Sequence, residues 1–354
     1  MIIKTLGYSI ILGQLVISQI SNHINFKNYS KIVLLTEEKI YKLWWKEIEQ
    51  YFPKNIKIIQ IQSGEKIKNI QTAIKIWQKM IDLNIDRKSL LINFGGGMIS
   101  DLGGFVASTY MRGIDFINIP TTLLAAVDAS IGGKVAVNLK NTKNIIGVFN
   151  NPKLVLIDVN FFETLGQREL VSASAEIIKH GIIVDKNYFE LVKNGINFED
   201  KNLLIEIIKR SLEIKRDIVE KDFKEQNIRK LLNFGHTIGH AFETASLKTN
   251  RPLLHGEAVV VGMIIESAIA RKIGMLSNED EKRIKECIMN CGFKKLLEKN
   301  FNYDIQELLT FVIRDKKNDN GKIRFVLPRE IGRCEYDIEI EPNVIRLYLE
   351  EFLH

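Results

Sequence analysis

Three of the chain's six histidines fall in two neighbouring runs, Gly235-His236-Thr237-Ile238-Gly239-His240-Ala241-Phe242-Glu243 and Leu254-His255-Gly256-Glu257. His236 and His240 are four residues apart, so on a helix they share one face. A divalent metal can use that spacing with a third ligand from elsewhere. Surface or satisfied core histidines account for the pair equally well. A zinc-protease helix carries Glu beside its first His. Thr237 stands there instead, so peptide hydrolysis is not indicated.

Upstream, Glu176-Ile177-Ile178-Lys179-His180 sets a carboxylate and an amine three residues apart. On an exposed face this is an ion pair worth a few tenths of a kcal/mol. The neighbours Ala173, Ala175, Ile177, Ile178 and Gly181 suggest burial, and a buried charge needs a partner. Lys215, Arg229, Asn233, Lys316 and Lys317 are further polar candidates, among which spacing does not choose.

Phosphate chemistry has its own signals. The apolar run Leu90–Phe94 leads straight into Gly95-Gly96-Gly97. Glycines there let the backbone approach a bulky ligand, and a helix from Ser100 on would turn its N–H groups toward a phosphate. A tight structural turn is the alternative, and the spacing is not the GxGxxG of dinucleotide folds. Pro120-Thr121-Thr122 offers two hydroxyls that either cap a helix or hold a ligand. Asp128-Ala129-Ser130-Ile131-Gly132-Gly133-Lys134 and Lys143-Asn144 add lysines. Val135 follows Lys134 where a P-loop needs Ser or Thr, which argues against ATP hydrolysis.

The elements that must position these groups are legible in outline. Apolar runs near residues 8–12, 31–36, 57–61, 90–94, 116–119 and 154–158 alternate with helical spacing; Ile70, Ile74, Trp77 and Ile81, for example, predict a helix over 68–83. Strand–helix alternation predicts a parallel sheet covered by helices. From Phe161 to about Glu298 the pattern is helical, with a hairpin-like piece at Lys322–Pro328. The expected division is an α/β domain over 1–155 and an all-α domain over 156–354. The length of 354 residues suits two domains at about 150 residues each.

Bulk properties exclude several classes. The longest apolar stretch, Ala258–Ala270, is broken by Glu266 and is too short to cross a bilayer. Met1-Ile2-Ile3-Lys4 lacks a signal-peptide layout. Three cysteines fit a reducing cytoplasm with no disulfide framework, and Cys287 and Cys291 read as packing. The net charge is +7, but basic and acidic residues are interleaved, which points away from nucleic acid.

Together the motifs resemble one family. Gly95-Gly96-Gly97-Met98-Ile99-Ser100-Asp101, Pro120-Thr121-Thr122-Leu123-Leu124, Asp128 to Lys134, Ala175-Glu176-Ile177-Ile178-Lys179, Asn233-Phe234-Gly235-His236-Thr237, Leu254-His255-Gly256-Glu257-Ala258 and Arg314-Asp315-Lys316-Lys317 are similar, in order, to those of 3-dehydroquinate synthase. The resemblance implies a Rossmann-like NAD-binding domain, a helical domain carrying Zn2+ or Co2+, and a cytoplasmic homodimer that binds neither nucleic acid nor membrane. It implies Glu176, His236 and His255 as metal ligands, which takes one histidine of the opening pair and turns His240 to the substrate. Cofactor contacts map onto Ser63, Gly64, Glu65, Lys66, Ile67, Lys68, Gly97, Met98, Ile99, Ser100, Asp101, Thr121, Thr122, Lys134, Lys143, Phe161, Phe162, Glu163 and Thr164. Substrate contacts map onto Asp128, Lys134, Asn144, Lys179, Lys215, Arg229, Asn233, His240 and Lys316, with Arg112 reaching the phosphate from a partner subunit.

The implied activity is that of a carbon–oxygen lyase of aromatic amino-acid biosynthesis. A 3-deoxy-heptulosonate phosphate is oxidised at C5 and loses phosphate by β-elimination, with the substrate's own phosphate as base. It is then re-reduced, opens, and closes by an intramolecular aldol step to 3-dehydroquinate. NAD turns over catalytically while zinc polarises the hydroxyl. Lys and Arg suit the substrate's carboxylate and phosphate. Sibling sugar-phosphate cyclases and metal-dependent alcohol dehydrogenases are the alternatives; the latter need no phosphate-binding lysines. The chain departs from the family pattern at Ser63, Ser100, Val135, Leu139, Thr142, Gly166 and His180. None of these is an implied zinc ligand or catalytic lysine.

Overall fold

The computed structural model describes residues 1–140, 142–299, 301–314 and 323–353. They form two compact units, Met1–Leu165 with Asp200–Arg216, and Gly166–Glu199 with Asp217–His354.

The first unit contains β1 (Ile2–Lys4), β2 (Ser9–Gly13), α1 (Ile20–His23), β3 (Ile32–Glu37), α2 (Glu38–Ile48), β4 (Lys57–Ile61), α3 (Ile70–Asp82), β5 (Leu90–Gly95), α4 (Gly97–Thr109), β6 (Asp115–Pro120), β7 (Lys134–Leu139), β8 (Thr142–Phe149) and β9 (Leu154–Asp158). Seven strands make one sheet in the order β1-β2-β9-β6-β5-β3-β4. The short β1 pairs antiparallel with β2, and the other pairs are parallel. Every residue of β5 and β9 is buried, as expected of parallel strands covered on both faces, which read as unbroken apolar runs. The predicted helix over 68–83 is α3, but its buried face is Ala73, Ile76 and Met80, while Ile74 and Ile81 are exposed. Side chains lean toward a helix's N-terminus, and the tertiary contacts, not the tidiest spacing, choose the face.

This strand order fixes where a ligand belongs. From β3 the chain moves outward to β4; from β5 it moves the other way, to β6 and β9. The reversal falls between β3 and β5, and parallel sheets bind ligands beyond the strand ends at such a point. Those ends are Glu37 and Gly95.

The second unit is helical, as expected, with one antiparallel hairpin besides. Its elements are α5 (Gln167–Val184), α6 (Lys186–Val192), the end of α7 (Lys201–Lys221), α8 (His236–Ser246), α9 (His255–Lys272), α10 (Asn278–Ile288), α11 (Lys294–Leu297), α12 (Ile305–Arg314), β10 (Arg324–Glu330), β11 (Arg333–Glu339) and α13 (Pro342–Leu353). The predicted piece near 322–328 becomes β10, paired with β11. Cys287, Cys291 and Cys334 are free and buried. No described helix is long and apolar enough to cross a membrane.

Candidate functional site

In the second unit, α5 buries Ala173, Ala175, Ile177 and Ile178 completely, and Glu176 with them. A lone carboxylate in that setting is costly. Glu176 Oε2 accepts from Lys179 Nζ, one turn on. Glu176 Oε1 lies 3.6 Å from His236 Nε2 and 3.7 Å from His255 Nε2. One ligand atom from each of these three residues lies within 4.8 Å of the others. Ligand atoms bound tetrahedrally to zinc at ~2.1 Å stand about 3.4 Å apart, so this donor set fits a single divalent ion.

Both imidazoles open helices, His236 at the start of α8 and His255 at the start of α9. His236 Nδ1 is 3.1 Å from Phe234 O; a proton on that nitrogen leaves the Nε2 lone pair facing Glu176. His255 Nδ1 is 3.6 Å from Glu243 Oε2, the carboxylate backing that metal-bound histidines use. Burial pushes the His255 pKa down, but hydrogen bonding and charge from Glu176 and Glu243 outweigh it and raise the value to about 10. A divalent ion among these groups would displace that proton. His240 stands beside them, its ring 5.2 Å from that of His236 and 6.3 Å from that of His255. His240, Glu243 and His255 form a second grouping within 4.8 Å. It shares His255, whose two ring nitrogens face different carboxylates, so Glu243 serves as the group that orients His255.

Spacing did not single out Arg168. Its Nε and Nη2 donate to the two carboxylate oxygens of Glu257 at 2.7 and 2.6 Å, and Nη2 also donates to Pro252 O at 2.7 Å. It ties the start of α5 to the start of α9. Glu257 Oε2 in turn accepts the Leu254 amide at 2.8 Å. Arg229, 2% exposed, donates through Nη1 to Phe223 O at 2.6 Å, and its amide donates to Asp222 Oδ2 at 3.1 Å. Asn233 Nδ2 donates to Glu225 Oε1 at 3.0 Å.

In the first unit, the glycine run lies at the switch point. Gly95 is partly a packing requirement, because a Cβ there would stand 2.6 Å from Ile99 Cγ1. The N-terminus of α4 has no side-chain cap, which leaves its first amides for a ligand. Glu37, a residue that spacing missed, interacts there with the Ser63 hydroxyl and the amides of Gly64 and Gly96; burial nonetheless raises its carboxyl above the usual range.

Four expected residues of this unit come together. Lys68, 4% exposed, donates to Asp101 and, at 2.6 Å, to Asn144 Oδ1, with Glu65 Oε1 at 3.9 Å. Asn138, also missed, bridges the group: its Nδ2 donates to Glu65 Oε1 and its Oδ1 accepts the Asn144 amide, both at 2.9 Å. Desolvation raises the Asp101 carboxyl and Lys68 opposes the rise. Lys215 Nζ donates to the carbonyl and carboxylate of Asp128.

The remaining candidates are more scattered. Ser63, Gly64, Glu65 and Lys66 are exposed in the loop after β4, with Ile67 half-buried. Thr121 is buried, and Thr122 Oγ1 accepts the Ala125 amide at 3.2 Å, the capping alternative. Met98 is half-buried and Ile99 is buried; Ser100 Oγ reaches Gly96 O at 3.4 Å. Lys134 is exposed at the start of β7, and Lys143 is half-buried on β8. Phe161 and Phe162 are buried. Glu163 pairs with Lys201, and Thr164 Oγ1 donates to Phe161 O at 3.3 Å. Arg112 is exposed with φ +71°. Lys316 and Lys317 lie outside the described residues.

Residues 58–172 match the family described as 3-dehydroquinate synthase N-terminal, and residues 173–318 match 3-dehydroquinate synthase C-terminal. A 3-dehydroquinate synthase of Dictyoglomus turgidum is 40% identical over 99% of this chain and 96% of its own length. Two solved structures share the fold. One is 2-deoxy-scyllo-inosose synthase complexed with carbaglucose-6-phosphate, NAD+ and Co2+, with TM-score 0.88, 23% identity, and 97% and 96% of the two chains covered. The other is 2-epi-5-epi-valiolone synthase from Streptomyces hygroscopicus subsp. jinggangensis 5008 with NAD+ and Zn2+ bound, with TM-score 0.87, 24% identity, and 99% and 98% covered.

Proposed function

The chain belongs to the 3-dehydroquinate synthase family, and from that premise we propose how its residues divide the work of an NAD- and divalent-metal-dependent phosphate-eliminating lyase. The substrate is 3-deoxy-D-arabino-heptulosonate 7-phosphate and the products are 3-dehydroquinate and phosphate. Glu176, His236 and His255 hold the metal. The observation that carries this is Glu176 Oε1, 3.6 and 3.7 Å from the two imidazole nitrogens.

When bound, the metal supplies Lewis acidity toward a substrate hydroxyl, and NAD supplies a hydride acceptor that returns what it takes. The protein's own groups orient and neutralise. Lys179 fixes the second oxygen of Glu176 and adds a positive charge beside it, midway along α5. His240, beside the two ligand rings, faces substrate. Arg229 is locked by the Phe223 carbonyl, and Lys215 by Asp128; held cations recognise carboxylate and phosphate with little ordering cost.

NAD belongs to the first unit. The uncapped start of α4 takes its phosphates, and Glu37 stands where such folds place the acid that accepts from a ribose hydroxyl. Lys68, Asp101, Asn144 and Glu65 brace the loop between them.

The protein works as a cytoplasmic homodimer. In β8, Ile146 and Val148 pair with Val137 and Val135, which are buried in the core beneath the hairpin. Ile145, Ile146, Val148 and Phe149 are 45%, 36%, 39% and 42% exposed, so the hairpin presents an open apolar surface along β8. Asn150 Nδ2 donates to Ser108 Oγ at 2.9 Å, holding the hairpin's end beside the segment of Arg112. A second copy covering this face brings Arg112 to the neighbouring subunit.

The test is turnover of the heptulosonate phosphate with substoichiometric NAD and added zinc. Phosphate release that is chelator-sensitive, exceeds one turnover per NAD, and is matched by 3-dehydroquinate supports the reading. No release from protein that has bound both metal and NAD overturns it.

A further inference from the structure

Glu266 lies on α9, about three turns beyond His255. It is fully buried and takes no part in the chemistry proposed above. Its carboxylate accepts the Gly235 amide at 2.6 Å and the Ile238 amide at 3.1 Å. These two amides flank His236. Gly235 precedes α8 with φ +78°, and α8 has no side-chain cap from its own segment. A helix start leaves its first amides without intrahelical partners and carries partial positive charge; here a carboxylate from the neighbouring helix meets both needs.

The two helices are in close contact at the same place. A Cβ at Gly262, one turn before Glu266, would stand 1.9 Å from Gly235 O, and one at Gly239 would stand 2.9 Å from Ala258 O. The glycines allow this approach, and Glu266 fixes its register. His236 sits inside the clamped turn, while His255 heads the helix that supplies the clamp. We infer that Glu266 is a positioning residue for the metal centre: by capping α8 from α9 it sets the separation of His236 from His255. This rests on the metal reading above.

The experiment is Co2+ binding by full-length wild type, Glu266→Gln and Glu266→Ala, read from the visible absorption of the bound ion against a competing chelator. NAD affinity and thermal melting are measured in parallel. Wild type is expected to take one Co2+ per chain. Glu266→Ala, which loses both acceptors, should bind it about 10- to 100-fold more weakly, with an altered spectrum and unchanged NAD affinity. Glu266→Gln keeps one acceptor oxygen and should fall between the two; it also serves if the alanine variant does not fold. A lowered melting temperature with unchanged cobalt affinity and spectrum overturns the inference, leaving Glu266 structural. Absence of Co2+ from wild type overturns the metal reading as well.

Discussion

Gly256 rests directly on Ser172: its amide donates to Ser172 Oγ at 3.1 Å, and a Cβ on residue 256 would stand 1.7 Å from Ser172 O. Ser172 is one turn before Glu176 on α5, and Gly256 follows His255 on α9. This close approach of the two helices therefore sits beside the proposed ligands, and only glycine permits it. Gly256→Ala should push α9 away, cost roughly 3 kcal/mol as an overpacked contact, and remove high-affinity metal. Ser172→Ala, which loses only a hydrogen bond, should cost about 1 kcal/mol and keep the metal. Thermal melting and zinc content of the two variants check this; equal zinc retention in both would refute it.

Lys68 and Asp101 make a test in the first unit. Their side chains are 5% and 16% exposed, so removing one partner leaves the other charge poorly solvated. Lys68→Met should destabilise the protein by about 3 kcal/mol. It should also raise the Asp101 carboxyl further, since Lys68 opposes the rise that burial causes. NAD affinity should fall, because Lys68 also holds Asn144. The double variant Lys68→Met with Asp101→Leu should regain most of the stability but not the affinity. Urea unfolding and NAD calorimetry separate the two effects.

How far these features could be read from the sequence differs by kind. Glu176, His236 and His255 share no single periodicity; only their motifs, matched as a set, nominated them. Strand–helix alternation sufficed for the parallel sheet because buried strands are unbroken apolar runs. It could not show β1, three residues long, nor that 200–216 pack with the first unit, since local pattern carries no tertiary address. Glu37, Arg168, Glu243 and Glu266 escaped for a related reason. Each acts on a backbone amide or side chain remote in sequence, and a single acid in an apolar helix, such as Glu266, reads only as an interruption.

The hairpin face gives a prediction about assembly. Ile145→Asp places a charge on the exposed strand β8, where the side chain is 45% exposed, so the monomer's fold should be unaffected. A charge buried in a dimer interface is costly. Sedimentation should show a shift from dimer to monomer by at least tenfold in dissociation constant, with the melting temperature of the monomer unchanged. A dimer as tight as wild type would place the interface elsewhere.

Acid should loosen the segment that presents Arg229. Burial of the Asp222 carboxyl acts to raise its pKa, but the amides of Gln226, Asn227 and Arg229 and the Arg229 charge together hold it below the ordinary value. A carboxyl depressed in the folded state contributes stability that is complete above its unfolded pKa and is lost as pH falls through the folded one. The window therefore lies below about pH 4, the ordinary aspartate value. Asp222→Asn keeps one acceptor oxygen but no charge, so wild type should melt higher than the variant at pH 7. The gap should narrow steadily below about pH 4. Because the Arg229 amide donates to Asp222 and its guanidinium donates to Phe223 O, the variant should also show a raised KM for the heptulosonate phosphate at pH 7, with metal content unchanged. Melting curves between pH 7 and 3, with KM at neutral pH, decide it: a pH-independent gap would mean that the carboxylate's charge is not what orders this turn.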